Sequence, residues 1–184
     1  MAIILAGCSA QRGFPPVHGI ANFDRLDKKV YRGAQPSREA LSELKNLGIV
    51  TVINLRQPDD TAPYEEPACD LFGIRYVSVP LSSIAAPSAA QIECVMRAIE
   101  FSSGPVFVHC QFGCDRTGTV CACWRIRTDG WPNAVALQEA VIYGMSDFEQ
   151  GMKSFIRHYK YEKKRASIGV RYAGFPVDCF EQTR

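Results

Sequence analysis

The run His109-Cys110-Gln111-Phe112-Gly113-Cys114-Asp115-Arg116-Thr117 sets a thiol and a guanidinium apart by five residues, with a hydroxyl directly after. A cysteine thiolate is a strong nucleophile. An arginine fork matches two oxygens of a phosphate, a match lysine fills poorly. A loop of this length can curl into a half-circle whose backbone N–H groups point inward as an anion nest. Gly113 permits a φ that a residue with a Cβ resists. The chemistry on offer is capture of an oxyanion beside a nucleophile. Gln111, Phe112, Gly113, Cys114, Asp115 and Arg116 would form the cradle.

Such a nest, together with the positive end of a following helix, should depress the Cys110 pKa. Comparable sites reach roughly 3.5 to 7.5, against about 8.5 for a free cysteine. Thr117 is expected to donate its hydroxyl to the Cys110 sulfur. His109 is expected to order the loop through hydrogen bonds and not to act as a base.

These roles require a strand that ends at the cysteine and a helix that opens at the arginine. Val106-Phe107-Val108 reads as a buried strand, and a helix is predicted from about Arg116 to Arg127. Upstream, Pro36-Ser37 opens a helix with Ala40, Leu41, Leu44 and Leu47 on one face, closed by Gly48. Ile49 to Leu55 and Ile74 to Val79 read as further strands. Ser88 and Gln91 match a capping box ahead of Ile92, Val95, Met96 and Ile99. A helix opened at Trp131-Pro132-Asn133 is predicted to turn Ala134, Leu137 and Val141 inward, and a last helix runs from Phe148 to Tyr161. Residues 57–70 hold three prolines and several acids and read as a loop. Strands alternating with helices predict an α/β three-layer sandwich around a central, mostly parallel sheet. Ligands bind such sheets at the carboxyl ends of the strands.

The rest of the chain narrows the field. Its 184 residues suit one domain, with 29–162 as the folded unit, 1–28 as a leader arm and 163–184 as a tail. A net charge of +2 leaves no broad footprint for nucleic acid. None of the eight cysteines forms a C-x-x-C pair, so no metal or other cofactor is expected. Leu5-Ala6-Gly7-Cys8 matches a bacterial lipobox. One reading is a lipoprotein, with Cys8 lipidated and the domain on a membrane surface in the cell envelope. The other is a short apolar leader matching by chance, on a cytoplasmic protein.

The signature at 109–117 resembles that of the cysteine-based protein tyrosine phosphatase superfamily, H-C-x5-R followed by Ser or Thr. Tyr31-Arg32-Gly33-Ala34-Gln35-Pro36, Val52-Ile53-Asn54-Leu55-Arg56 and Pro105-Val106-Phe107-Val108-His109-Cys110 look like the compact bacterial dual-specificity type. The resemblance implies a metal-free, two-step reaction. Cys110 attacks phosphorus to give a phosphocysteine, Arg116 and the loop N–H groups hold the equatorial oxygens, and water hydrolyses the intermediate.

It also implies a general acid, supplied in the wider superfamily by an aspartate on a loop upstream of the cysteine. The matching stretch here, Leu81-Ser82-Ser83-Ile84-Ala85-Ala86-Pro87, contains no Asp, Glu or His. Asp115 is the first substitute, since myotubularin-type phosphatases also carry Asp-Arg-Thr at this place. Its competing role is a carboxylate that braces the loop. Asp59, Asp60 and Asp147 are the alternatives. Cys114 offers a reversible disulfide with Cys110 or simple packing beneath the loop. Arg32 and Arg56 would line the pocket or serve structure alone.

With no lysine in the loop, a phosphorylated protein or a small phosphate ester is the expected substrate partner. Alternatives are an inositol phosphate or phosphoinositide phosphatase on the same scaffold, a pseudophosphatase that binds phosphoprotein without turnover, and a sulfurtransferase.

Overall fold

The computed structural model describes residues 12–58 and 62–161. The lipobox-like Cys8, the candidate acids Asp59 and Asp60, and the tail 163–184 lie outside the described residues. Among the described residues, no helix is long and apolar enough to cross a membrane.

Five strands make one sheet: β1 (Asp24–Arg25), β2 (Val30–Gly33), β3 (Thr51–Asn54), β4 (Arg75–Ser78) and β5 (Val106–His109), in the order β1-β2-β5-β3-β4. All neighbours run parallel except β1, which pairs antiparallel with β2. Every residue of β2, β3 and β5 is buried, as strands covered on both faces must be. The last strand in sequence is the middle one in space. His109 at its end lies in register with Gly33 of β2 and Asn54 of β3. Whatever follows β5 therefore emerges at the centre of the carboxyl edge.

One face of the sheet is covered by α1 (Arg38–Asn46) and α2 (Glu65–Leu71), whose Leu41, Leu44 and Cys69 pack with Ile49, Val52 and Phe107. On the other face, α3 (Ala89–Phe101) and α4 (Asp115–Trp124) bring Ile92, Val95, Met96, Ile99 and Val120 against Ile53, Val77 and Val108. The α/β sandwich expected from the pattern is the one observed. Ser37 caps α1 by accepting from Ala40 N at 3.2 Å, and Ser88 and Gln91 form the capping box of α3.

Three expectations need correction. Residues 57–70 are not all loop, because α2 starts at Glu65. Its Pro67 sits in the first turn, where a missing N–H costs nothing. Residues 12–28 are not a detached leader: Ile20 and Asn22 are fully buried, and β1 extends the sheet. In α5 (Asn133–Ile142) the inward residues are Ala136 and Ala140, whereas Val141 is exposed. Small residues are needed there because α5 crosses α4 closely; a Cβ on Gly118 of α4 would stand 3.2 Å from that of Ala140. Of the expected inward residues only Leu137 packs against this cluster, half-buried, while Ala134 and Val141 face solvent. The final helix, α6 (Gln150–His158), packs Met152 and Ile156 with Ala122 of α4.

Candidate active site

The segment after β5 turns once and enters α4 at Asp115. Three successive carbonyls of this loop are held by donors outside it. Gln35 N donates to Gln111 O at 3.2 Å, Asn22 Nδ2 to Phe112 O at 2.9 Å, and Arg32 Nη2 to Gly113 O at 2.7 Å. A planar trans peptide points its N–H opposite its carbonyl. The N–H groups of Phe112, Gly113 and Cys114 therefore face away from these braces and toward the concave side. The open N–H groups of the first turn of α4 add positive potential at the same place.

Gly113 is required here twice over. Its φ is +69°, and a Cβ would lie 2.5 Å from Gly33 C and 2.7 Å from both Gly33 O and Ala34 N. The loop is thus pressed against the end of β2, close enough for Arg32 to reach its carbonyl. Arg32 is wholly buried with its guanidinium 3.7 Å from the Tyr143 ring centroid, and it is absent from the pocket lining. It braces the loop from behind.

The concave side opens on a pocket of about 270 Å³ lined by Cys110, Gln111, Phe112, Asp115 and Arg116 from the loop and α4. Arg12, Ser83, Ser146, Phe148 and Glu149 complete it. Cys110 is 3% exposed and Arg116 4%, so both sit at the floor, while Phe112 and Phe148 stand exposed at the rim. Gly113 and Cys114 do not line the pocket, and they offer the concave side only their backbone N–H groups. Cys114 Sγ accepts from Asn22 Nδ2 at 3.2 Å and is fully buried. Burial pushes its thiol up to about 11, so it stays protonated and unreactive near neutral pH.

His109 is buried at the strand end, with Nε2 2.8 Å from Glu65 Oε1. Asn54 Nδ2 donates to Glu65 Oε2 at 2.8 Å and to the Tyr76 hydroxyl at 2.9 Å. This buried chain ties the base of the loop to β3, β4 and α2 and keeps His109 out of the pocket. Thr117 is fully buried, yet its hydroxyl has no hydrogen-bond partner among the described residues. The expected bond to the Cys110 sulfur is therefore not made in this state. A buried unpaired hydroxyl costs about 1–3 kcal/mol, so Thr117 retains a donor for any negative charge that develops beside it.

Among the expected acids, Asp115 does line the pocket, but its carboxylate is engaged throughout. Arg12 Nη2 lies 2.6 Å from Oδ2, and Oδ1 accepts from Ser146 N at 2.7 Å. These are the contacts of a brace. Asp147 points out of the pocket, 95% exposed, and pairs with Lys153 at 2.7 Å; that hydrogen bond holds its carboxyl below the usual range. Glu149, at the N-cap of α6, was not singled out by its sequence context, yet it reaches the pocket. Burial pushes its carboxyl above the ordinary value, the nearby Asp115 charge adds to the rise, and Arg12 and Arg116 oppose it. Arg12, Asn22, Ser146 and Glu65 are equally silent in the sequence. A polar residue inside an apolar stretch, such as Asn22 two residues after Ile20, is the only trace any of them leaves.

The fold and loop have clear counterparts. Residues 15–158 match the family described as "PTP-NADK: DSP-PTPase phosphatase fused to NAD+ Kinase". Over 128 residues the chain is 30% identical to the dual specificity protein phosphatase TpbA of Pseudomonas aeruginosa, covering 68% of this chain and 56% of that one. The chain thus spans little more than half the length of that curated relative. The crystal structure of TpbA superposes with a TM-score of 0.67 at 26% identity, covering 83% of this chain and 92% of the other. The catalytic core of the S. cerevisiae PP-IP phosphatase SIW14 shares the fold, with a TM-score of 0.67 at 22% identity over 80% of this chain and 88% of the other. With a family model matched from residue 15 to residue 158, the chain belongs to the DSP-PTPase family.

Proposed function

We propose that the chain is a cysteine-dependent phosphomonoesterase of the dual-specificity type. Cys110 Sγ attacks phosphorus in line, and the bond to the leaving oxygen breaks as the S–P bond forms. Arg116 and the inward N–H groups hold the equatorial oxygens, and Thr117 donates to the sulfur as charge returns to it. Water then attacks phosphorus, releasing inorganic phosphate and the thiolate. The observation that carries this reading is the outward bracing of the Gln111, Phe112 and Gly113 carbonyls, which leaves a ring of donors around a buried cysteine and arginine.

An aryl phosphate suits the pocket, since Phe112 and Phe148 flank its mouth and no lysine among the described residues lines it. TpbA has been crystallised in complex with pTyr, which supports phosphotyrosine as the first substrate to try. A lipidated Cys8 would tether this site to a membrane face in the cell envelope, and the mass of the mature chain reads that directly. The function is tested by hydrolysis of phosphotyrosine peptides, phosphoserine peptides and inositol phosphates by wild type and Cys110→Ser. Turnover of the tyrosine peptides, lost in the variant, is expected. Binding without turnover would favour a pseudophosphatase.

A further inference from the structure

We propose that Glu149 is the proton donor to the leaving group and, in the second step, the base that takes a proton from the attacking water. The inference rests on the phosphatase reading above.

A leaving phenoxide or alkoxide needs a proton, and the 81–87 stretch, which reaches the pocket through Ser83, carries none to give. Among the described residues, two carboxyl groups line the pocket, Asp115 and Glu149. Among the described residues the Asp115 carboxylate only accepts: Arg12 donates to both oxygens, at 3.3 and 2.6 Å, and the Ser146 N–H to Oδ1 at 2.7 Å. Glu149 has no hydrogen bond or ion pair to any described residue through its carboxyl, so its proton is not committed elsewhere. Its position also fits. A Cβ on Gly151, two residues further, would stand 3.2 Å from Ala86 N, so the start of α6 abuts the 81–87 stretch. Glu149 thus enters the pocket on the flank where the missing acid would have come down.

The charged and titratable groups around it are Asp115 and Arg116 from α4, Arg12 from the N-terminal arm and Cys110 from the loop. Asp147, on its own connection, is turned outward and tied to Lys153. Burial and the Asp115 charge favour the protonated form. A phosphate dianion in the loop would favour it further. Protons balance across the cycle. Glu149 gives its proton to the departing oxygen as the P–O bond breaks and S–P forms. The resulting carboxylate then removes a proton from water as the new O–P bond forms and S–P breaks, which restores the acid.

The test is a series of aryl phosphates running from dinitrophenyl to unsubstituted phenyl, measured across pH. Glu149→Gln should lose about 10²- to 10⁴-fold in kcat on phenyl phosphate, and far less on the dinitrophenyl ester, whose leaving group needs no proton. The fall of kcat/KM at high pH, where the acid is deprotonated, should vanish in Glu149→Gln but persist, on a lowered rate, in Asp115→Asn. Glu149→Asp, with its carboxyl retained, should keep the high-pH fall and guards against a folding artefact. An unchanged leaving-group dependence in Glu149→Gln, or an equal loss on every ester, overturns the proposal while the phosphatase reading stands. If wild type hydrolyses none of the esters, both fall.

Discussion

Arg32 offers a sharp separation of stability from activity. Its side chain is fully buried, donates from Nη2 to Gly113 O at 2.7 Å and lies over Tyr143. Its Nε and Nη1 have no hydrogen-bond partner among the described residues. Two unpaired buried donors cost about 1–3 kcal/mol each, and withdrawing a charge from water costs several kcal/mol more. Against this stand one charge-assisted hydrogen bond, about 1.5–3 kcal/mol, and a cation–π contact of about 2 kcal/mol. The balance is even or unfavourable. Arg32→Met keeps the length and apolar stem, so stability should change by less than about 1 kcal/mol or rise. Activity should not survive so well. Releasing the Gly113 carbonyl frees the peptide that aims the Cys114 N–H into the cradle, and a displacement of ~1 Å in such a site costs ~10²-fold. Urea melts paired with kcat/KM on an aryl phosphate make the comparison. A loss of more than about 2 kcal/mol with kcat/KM unchanged would refute the reasoning, because Arg32 would then serve the fold and not the loop.

Gly113→Ala should lower kcat/KM by ~10²-fold or more, since its Cβ meets backbone that cannot yield; activity near wild type would show that the loop is looser than its contacts imply. Arg12→Ala removes a pair that is one-third exposed on the arginine side, so the melt should shift by no more than about 1 kcal/mol, while KM for aryl phosphates rises as the pocket wall loosens. Cys69, Cys114 and Cys121 are raised by burial to about 12, 11 and 11. A thiol raised in the folded state favours folding below its unfolded pKa and loses that contribution as pH rises through the folded value. Stability should therefore hold flat near neutral pH and decline from about 9 upward, by up to about 1.4 kcal/mol per pH unit for each such thiol; a melt independent of pH in that range would contradict their burial.

Much of this architecture is written locally. The β-branched runs at Thr51–Asn54 and Val106–His109, the Ser88–Gln91 capping box and the Cys110-to-Arg116 spacing each depend on neighbours a few residues away. The parts that escape sequence reading depend on tertiary contact. Glu65 is buried only because His109 and Asn54 meet it from two strands. Arg12 joins the site across 103 positions of chain, and Asn22 across 90. Glu149 sits between Phe148 and Gln150 on a connection that nothing in the sequence places over the loop. The helix at 65–71 hides behind a proline that its first turn tolerates.

The most direct measurement is rapid quenching of wild type with an aryl phosphate, followed by mass analysis of the peptide that holds Cys110. The account predicts a phosphoryl adduct on that cysteine, a burst of the aryl alcohol equal to the enzyme present, and loss of both in Cys110→Ser. Turnover that persists in Cys110→Ser, or a phosphoryl group on any other residue, would contradict it.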